Sequence, residues 1–475
     1  QKGKEVSLRM SQKGKMGNDA SGNQNQVGYY EGYYTIDASW EEMPESKNNQ
    51  ADAAIMVLGR TGGENIDLFR NKEEVITGNK NVDEVSKTMS SFDYLGLSDN
   101  EISILKGLKN LKDNGTIGKI IVLMNSANQI QCDFVDDPTY GIDSLLWMGT
   151  ASSVGTRSLG KILVGDINPS GHLSDTFWYD HSKNPVYANF GNIVYKNSNE
   201  LNKYRNGENQ RYTVYQEGIY NGYRYTETRY EDSILKGDTS FKYDNCVSYP
   251  FGYGLSYSKF SYSNMNVDVL TQDNETIYSV SVDIKNDGFV PGKGVAELYI
   301  QKPYTSYDVQ YKVEKPSVEL VGFEKSKLLE PGESQTLTIN VKEKELASYD
   351  SNYAQTYVIG SNAPSDLYRF TIASDAHEAI NNILSSKGYS SSDGMDKNGN
   401  EDLVWSTYIA FSDSKYYSNS FIDNALENSK ERYSGDDINF GVAFITNQFD
   451  KVDFQKYSGF ESEERNQPYM SRNDF

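Results

Sequence analysis

Residues 53–58 (AAIMVL) and 119–124 (KIIVLM) are two short apolar runs that decide the fold class. Runs of this kind are typical of strands buried on both faces of a parallel sheet. Between them, residues 98–112 (SDNEISILKGLKNLK) carry apolar residues at helical spacing, and Ser98 with Glu101 forms a capping-box pattern. A strand, a helix and a second strand at this spacing predict an α/β fold with a parallel sheet.

Two further segments extend the same α/β pattern. Residues 142–148 (IDSLLWM) predict a third strand, and residues 154–164 predict another helix. We therefore expect residues 51–255 to form an α/β sandwich domain, with a mostly parallel sheet and helices on both faces. Residues 1–50 are polar and show little periodicity, so they predict mainly loops.

A different pattern fills the second half of the chain. Residues 278–284 (YSVSVDI), 295–300 (VAELYI) and 336–341 (TLTINV) alternate between apolar and polar side chains, with Gly, Pro and Asn turn signals between them. Short alternating strands joined by such turns predict an all-β sandwich over residues 256–375. Residues 376–475 lack strong periodicity and predict an irregular connecting region.

The net charge argues against two classes of partner. The chain has 46 Lys and Arg against 67 Asp and Glu, a formal net charge of −21. A nucleic-acid-binding protein needs a basic surface, and so does a protein that docks on anionic lipid. The apolar runs reach only about five residues, whereas a membrane-spanning helix needs about 20, so no membrane span is predicted. The first residues also lack the pattern of a signal peptide.

The chain contains few cysteine and histidine residues that could bind a metal ion. Two cysteines and three histidines are too few for a disulfide framework, and they make a His/Cys metal site improbable. Residues 396–402 (DKNGNED) resemble the opening of a calcium loop, but Glu401 stands where that loop requires Gly and Thr407 where it requires a bidentate Glu. The sequence therefore predicts no metal and no other cofactor.

Four stretches together carry a resemblance to a known family. They are residues 165–173 (GDINPSGHL), 215–225 (YQEGIYNGYRY), 249–257 (YPFGYGLSY) and 315–334 (KPSVELVGFEKSKLLEPGES). In this order they resemble the signatures of glycoside hydrolase family 3, and the last resembles its fibronectin-III-like domain. The resemblance covers roughly residues 50–375, and it implies an α/β sandwich domain followed by a fibronectin-III-like sandwich.

Two of these stretches are predicted to have structural roles. Residues 165–173 predict a turn at a domain edge, because they lack the Gly spacing and the Lys of a phosphate-binding loop. Residues 215–225 are rich in Tyr and Gly, and they predict packing between the α/β domain and the sandwich.

The later part of the chain resembles a bacterial subgroup of the family with inverted domain order. Residues 376–384 (AHEAINNIL) and 445–450 (ITNQFD) resemble the connecting region of that subgroup, and residues 469–475 (YMSRNDF) resemble its last stretch before a (β/α)8 barrel. The resemblance implies that the barrel is a partner of this chain and lies outside these 475 residues. Since members carry a further βα portion upstream, residues 1–50 would be an incomplete N-terminal part of the α/β domain.

The resemblance also locates the candidate catalytic residue. Residues 59–67 (GRTGGENID) resemble the family loop GRxSGEGxD, which makes Glu64 the general acid/base and Arg60 and Asp67 candidate substrate-binding residues. Asn65 departs from the Gly of the pattern. The alternatives are that Glu64 is a solvated loop carboxylate, that Arg60 holds Glu64 or is an exposed loop arginine, and that Asp67 caps the following segment.

The implied function is exo-acting, retaining hydrolysis of β-glycosidic bonds, similar to that of a β-glucosidase. Retaining glycosidases use two carboxyl groups about 5–5.5 Å apart. By resemblance the nucleophile is an Asp of the absent barrel, the substrate is a β-linked oligosaccharide or glycoside, and the location is extracellular or at the cell surface. The alternative is a non-catalytic glycan-binding or structural module derived from the same scaffold.

Overall fold

A computed structural model gives the structure of this chain. It describes residues 51–60, 95–149, 151, 155–189, 194–195, 215–354, 356–413, 415, 454–455 and 470–474. The predictions made for residues 1–50, and those made for Glu64 and Asp67, lie outside the described residues.

The α/β domain is organised around a three-stranded parallel sheet, as predicted. Its strands lie side by side in the order β1, β2 and β3. They span Ala51–Gly59, Ile117–Asn125 and Ser144–Trp147 respectively. Helix α1, Asp99–Asp113, connects β1 with β2 and is capped as the sequence predicts, because Ser98 Oγ accepts from the Glu101 N–H at 3.3 Å and Glu101 Oε2 accepts from the Ser98 N–H at 2.8 Å.

Strand β1 differs from the prediction in one respect. Met56 and Leu58 pack against Leu105 of α1, but Ile55 and Val57 on the other face are 51% and 57% exposed. The prediction that both faces of β1 are buried is therefore wrong. An apolar run shows that a strand is hydrophobic, but it does not show whether a second layer covers the outer face.

The other elements of the α/β domain are short, apart from one helix. Helix α2 is Thr156–Leu163, α3 is Pro185–Asn189 and α4 is Tyr223–Lys236. The remaining strands form two small antiparallel pairs: β4, Phe177–Trp178, pairs with β6, Val247–Tyr249, and β5, Val194–Tyr195, pairs with β16, Phe454–Gln455. Helix α2 lies within the predicted segment 154–164.

The sandwich consists of two antiparallel sheets. One has the strand order β11, β8, β7, and the other has the order β10, β9, β14, β15. The bounds are Phe260–Gln272 for β7, Glu275–Asn286 for β8, Val295–Gln301 for β9, Glu319–Lys325 for β10, Ser334–Lys342 for β11, Leu367–Ala373 for β14 and Val404–Tyr408 for β15. Strands β12, Ser348–Asp350, and β13, Thr356–Val358, form a hairpin, and helix α5 is Ser306–Tyr311.

The core of the sandwich follows the predicted alternation. In β8, Tyr278, Val280, Val282 and Ile284 all point into the core and are at most 3% exposed. Strand β15 belongs to the sheet of β9, β10 and β14 although it lies after residue 375, because it pairs with β14. The sandwich thus continues into the stretch that the sequence assigns to a connecting region.

The two domains meet around helix α6, Ala376–Ser386. Ala376, Ile380 and Ile383 of this helix are fully buried in a cluster that also contains Tyr230 of α4 and Tyr299 of β9. A single apolar cluster therefore joins the α/β domain, α6 and the sandwich.

The stretches 165–173 and 215–225 have the structural roles that the sequence predicts. Asn168 Oδ1 accepts from the Tyr257 N–H at 2.8 Å, and its Nδ2 donates to the carbonyl of Pro291 at 3.0 Å, so this turn ties the two domains together. The Tyr223 ring stacks on Phe251 with ring centroids 4.4 Å apart, and its hydroxyl accepts from a backbone N–H of β10.

None of the helices in the described ranges combines the length and the apolar character that a bilayer crossing requires.

Gly254 lies at the domain edge, where close packing leaves no room for a side chain. A Cβ atom at Gly254 would lie 2.4 Å from the carbonyl oxygen of Gly171, whereas a Cβ atom at Gly171 itself would meet nothing within 4 Å. We expect Gly254→Ala to lower the free energy of unfolding by about 1–3 kcal/mol, the usual cost of overpacking. Gly171→Ala is the matched control and should change it by less than about 0.5 kcal/mol. Equal unfolding midpoints in denaturant for the two variants would contradict this close packing.

A buried histidine links α6 to α4. Nδ1 of His377 lies 2.8 Å from Glu227 Oε2, and its Nε2 lies 2.6 Å from Asp396 Oδ2. Although burial opposes the charge, the two carboxylates raise the pKa of His377 to about 9 and the imidazolium lowers the pKa of Asp396. The imidazole ring also stacks on Tyr243 with centroids 3.6 Å apart.

This raised pKa predicts a loss of stability in alkali. Because the folded-state pKa of His377 lies above the unfolded value of 6.5, the stabilisation is complete below pH 6.5 and is lost as the pH rises through about 9. The free energy of unfolding should fall by about 3 kcal/mol over this window. Asp396→Asn should move the fall to lower pH in thermal melts, whereas Asp402→Asn, an exposed acid in the same loop, should not. Identical pH profiles for Asp396→Asn and the wild type would refute the assignment.

Candidate active site

The candidate site lies at the carboxyl edge of the parallel sheet. Gly59 at the end of β1 is paired with Asn125 at the end of β2, and Met124 is paired with Trp147 at the end of β3. The last residues of the three strands are therefore neighbours. In open α/β sheets, ligands bind outside this edge, in the loops that follow the strands.

Arg60 is the one predicted site residue of the three that lies within the described residues. Its Nη1 donates to Glu101 Oε1 and its Nη2 to Glu101 Oε2, both at 2.8 Å. Nη1 also donates to the carbonyl of Gly59 at 2.8 Å, and Nη2 to the carbonyl of Gly96 at 2.5 Å. The four N–H bonds of the two terminal nitrogens therefore all have acceptors, in the bidentate geometry that favours arginine.

Arg60 connects the two ends of the segment that carries Glu64. Gly59 and Arg60 precede residues 61–94 and Gly96 follows them, so the guanidinium holds both ends of this segment together. The Arg60 side chain is only 7% exposed. This burial differs from the interpretation of Arg60 as an exposed loop arginine, and the role of Arg60 in substrate binding stays a prediction.

Sequence reasoning missed the part that Glu101 plays in this site. The same carboxylate accepts from the backbone of Ser98, as the capping glutamate of α1, and from both terminal nitrogens of Arg60. The capping-box pattern was visible in the sequence, but it gave no sign of a partner 41 residues upstream. The helix start and the strand end are thus joined by one side chain.

The neighbouring strand ends are held by packing. The Trp147 Nε1–H donates to the carbonyl of Ser126, just beyond β2, at 2.8 Å. Its ring meets Phe177 edge to face with centroids 5.7 Å apart. Trp147 is therefore a packing residue, as the sequence predicts, and it stabilises the edge next to Arg60.

Within the part of the chain that the structure describes, no group of three or more His, Cys, Asp and Glu side chains is arranged to hold a metal ion.

Two family models match the chain. Residues 9–223 match the model described as the glycosyl hydrolase family 3 C-terminal domain. The chain therefore contains a glycosyl hydrolase family 3 C-terminal domain. Residues 294–362 match the fibronectin type III-like domain, in the region of the sandwich from β9 to β13. Both matches agree with the order of domains that the sequence predicts.

Several β-glucosidases are similar to this chain. A β-glucosidase of Ruminococcus albus is 30% identical over 318 residues, which is 66% of this chain and 26% of that protein. Thermostable beta-glucosidase B of Acetivibrio thermocellus is 29% identical over 265 residues, 56% of this chain and 29% of that protein. This chain therefore spans between a quarter and a third of the length of these relatives.

Solved structures of the family resemble the fold. The crystal structure of a β-glucosidase from Paenibacillus barengoltzii matches with a TM-score of 0.50 and 27% sequence identity. The match covers 68% of this chain and 29% of that one. The inverted order of domains, with the barrel last, stays a prediction.

The Arg60–Glu101 pair should be strongly coupled. A largely buried bidentate pair is expected to show a coupling energy of about 1.5–3 kcal/mol in a double-mutant cycle of Arg60→Met and Glu101→Gln. The exposed pair of Lys109 and Asp113 on the same helix is the matched control, and its cycle should give less than about 1 kcal/mol. Chemical denaturation of the wild type and the six variants measures both values. Equal coupling in the two pairs would show that Arg60 does not hold the base of the loop.

Proposed function

We propose that this chain is the part of a β-glucosidase-like enzyme that supplies the general acid/base, Glu64. The enzyme is exo-acting and retaining, and its nucleophile is an Asp on a (β/α)8 barrel outside these residues. The observation that carries this proposal is the Arg60 contact with Glu101 and Gly96, which fixes both ends of the segment that carries Glu64 at the carboxyl edge of the sheet. The similarity to β-glucosidases supports the reaction class.

The proposed chemistry needs a proton at the glycosidic oxygen and a carboxylate at the anomeric carbon. In the first step Glu64 donates its proton to the leaving oxygen while the barrel carboxylate forms a glycosyl ester with the anomeric carbon. In the second step Glu64, now ionised, takes a proton from a water molecule that attacks the same carbon and releases the carboxylate. The first step requires Glu64 to stand within hydrogen-bond distance of the leaving oxygen, and the second requires it to stand within the same distance of the attacking water.

Arg60 would serve this chemistry as a positioning residue. The terminal nitrogens of Arg60 donate all their hydrogen bonds to the protein, and this makes the two ends of the segment rigid. Because folding already restricts the segment, less conformational entropy would be lost when Glu64 is oriented toward the substrate. Asp67 lies three residues after Glu64 and would accept hydrogen bonds from sugar hydroxyls. The two residues thus have different proposed roles, one in orientation and one in substrate binding.

A second candidate function is binding of glycans without hydrolysis. On the sandwich surface the rings of Tyr311 and Tyr353 stack with centroids 4.1 Å apart, and Tyr353 is 63% exposed. Asp350 accepts from the backbone N–H of Tyr353 at 2.8 Å and from the hydroxyl of Tyr307 at 2.6 Å, which orders this loop. Exposed, ordered aromatic rings mark interaction surfaces, and their faces suit the apolar side of a sugar ring.

Hydrolysis of aryl β-glycosides tests the catalytic proposal. The chain would be assayed alone and after addition of a separately expressed family 3 barrel, with substrates of good and poor leaving groups. We expect turnover only with the barrel. Glu64→Gln should lower kcat/KM about 10²–10⁴-fold for poor leaving groups and much less for good ones, because a good leaving group departs without protonation. Glu73→Gln, a carboxylate change in the same segment, should leave both rates unchanged.

Three outcomes would count against this proposal. Turnover by the chain alone would place the nucleophile within these 475 residues. An equal loss for both leaving-group classes in Glu64→Gln would deny it the role of acid. Retention of oligosaccharide on the chain, lost in Tyr353→Ala, with no turnover in the presence of the barrel, would favour the glycan-binding function instead.

A further inference from the structure

Residues 470–474 form a short segment that lies against helix α4 and the stretch 215–220. The Met470 N–H donates to the carbonyl of Gln216 at 2.8 Å, and the Arg472 N–H donates to Glu314 Oε2 at 3.0 Å. The contacts of this segment come from parts of the chain that are more than 150 residues away in sequence.

Arg472 is the anchor of this segment. Its Nε donates to Asp232 Oδ1 at 3.0 Å, and its Nη2 donates to Asp232 Oδ1 at 2.6 Å and to Glu231 Oε2 at 2.7 Å. The guanidinium carbon lies 5.2 Å from the centroid of the Tyr304 ring. The side chain is 7% exposed, so this is a buried ion pair with an aromatic wall.

The recess that receives Arg472 is lined by acidic side chains. We name it the acidic recess and define it by Glu231, Asp232, Tyr304 and Glu314. Glu231 also accepts from Lys387 at 2.6 Å. Burial raises the pKa of Glu231, but Lys387 and Arg472 together lower it to about 2. Lys387 pairs with Glu231, whereas Asp232 has Arg472 as its buried partner and the half-exposed Lys236 at 3.8 Å. A buried carboxylate that loses its buried cation is strongly destabilising.

The family stretch 215–225 helps to build this recess. The hydroxyl of Tyr220, which is fully buried, donates to Glu314 Oε2 at 2.6 Å, and the same oxygen accepts from the Arg472 N–H. Gln216 supplies the backbone carbonyl that receives Met470. Tyr220 therefore contacts the sandwich through Glu314, and Gln216 and Glu314 both accept hydrogen bonds from residues 470–472.

We propose that the acidic recess is a receptor for an arginine-bearing chain segment, and that its ligand is this chain's own residues 470–474. The recess binds the segment through one guanidinium fork and two backbone N–H groups, which hold it on α4 independently of its covalent connection through residues 416–469. A domain attached after residue 475 would then leave from a fixed point beside α4. This inference does not depend on Glu64 or on hydrolysis.

Amide hydrogen exchange in the full-length chain tests the contact. The amides of Met470 and Arg472 should be protected in the wild type, and Arg472→Met and Asp232→Asn should each raise their exchange rates at least tenfold. The double variant should exchange no faster than either single variant, because both changes remove the same contact. Lys236→Met is the control, since Lys236 is an exposed cation 3.8 Å from Asp232 on the same helix. It should leave both amides protected.

Addition of the segment in trans tests the receptor itself. A fluorescent peptide of residues 467–475 (QPYMSRNDF) should bind full-length Arg472→Met, and binding should be lost in Arg472→Met with Asp232→Asn. Unchanged protection of β8 amides in every variant verifies that the sandwich stays folded. Fast exchange of both amides in the wild type, or equal peptide binding by the single and double variants, would overturn the proposal.

Discussion

The fold depends on the neutralisation of three buried carboxylates on one helix. Glu227, Glu231 and Asp232 of α4 are each at most 5% exposed, and every one is paired with a cation from a later part of the chain. His377, Lys387 and Arg472 supply these cations. Since a buried charge without a partner costs several kcal/mol, α6 and residues 470–474 stabilise the burial of this helix. These ion pairs therefore help to hold the junction of the two domains together.

Much of the fold could be predicted because it is encoded locally. The capping box of α1, the period-two alternation of β8 and the apolar run of β2 depend on neighbours in sequence. The charged face of α4 could not be predicted in this way. Acidic residues at Glu227 and Glu231 have a spacing that is typical of a solvated helix face. Their burial depends on partners about 150 residues away.

The candidate site, like the fold, could be predicted only in part from the sequence. The resemblance over residues 59–67 located Glu64, Arg60 and Asp67, because a motif is read along the chain. It could not show that Arg60 is held by Glu101, since the bidentate contact arises only when α1 packs beside β1 and brings the helix start next to the strand end. The structure therefore adds Glu101 to the site, as the side chain that holds Arg60. In the sequence, Glu101 could be recognised only as a capping residue of α1.

The chain order of these ion pairs has a consequence for biosynthesis. A ribosome makes α4 first and Arg472 later, 240 residues after Asp232. At about 5–20 residues per second this interval lasts roughly 12–48 s. During that time the recess on α4 lacks the guanidinium of Arg472, so the burial of the helix is less stable than in the complete chain. The α/β domain of this chain would therefore reach its full stability only after residue 472 has emerged from the ribosome.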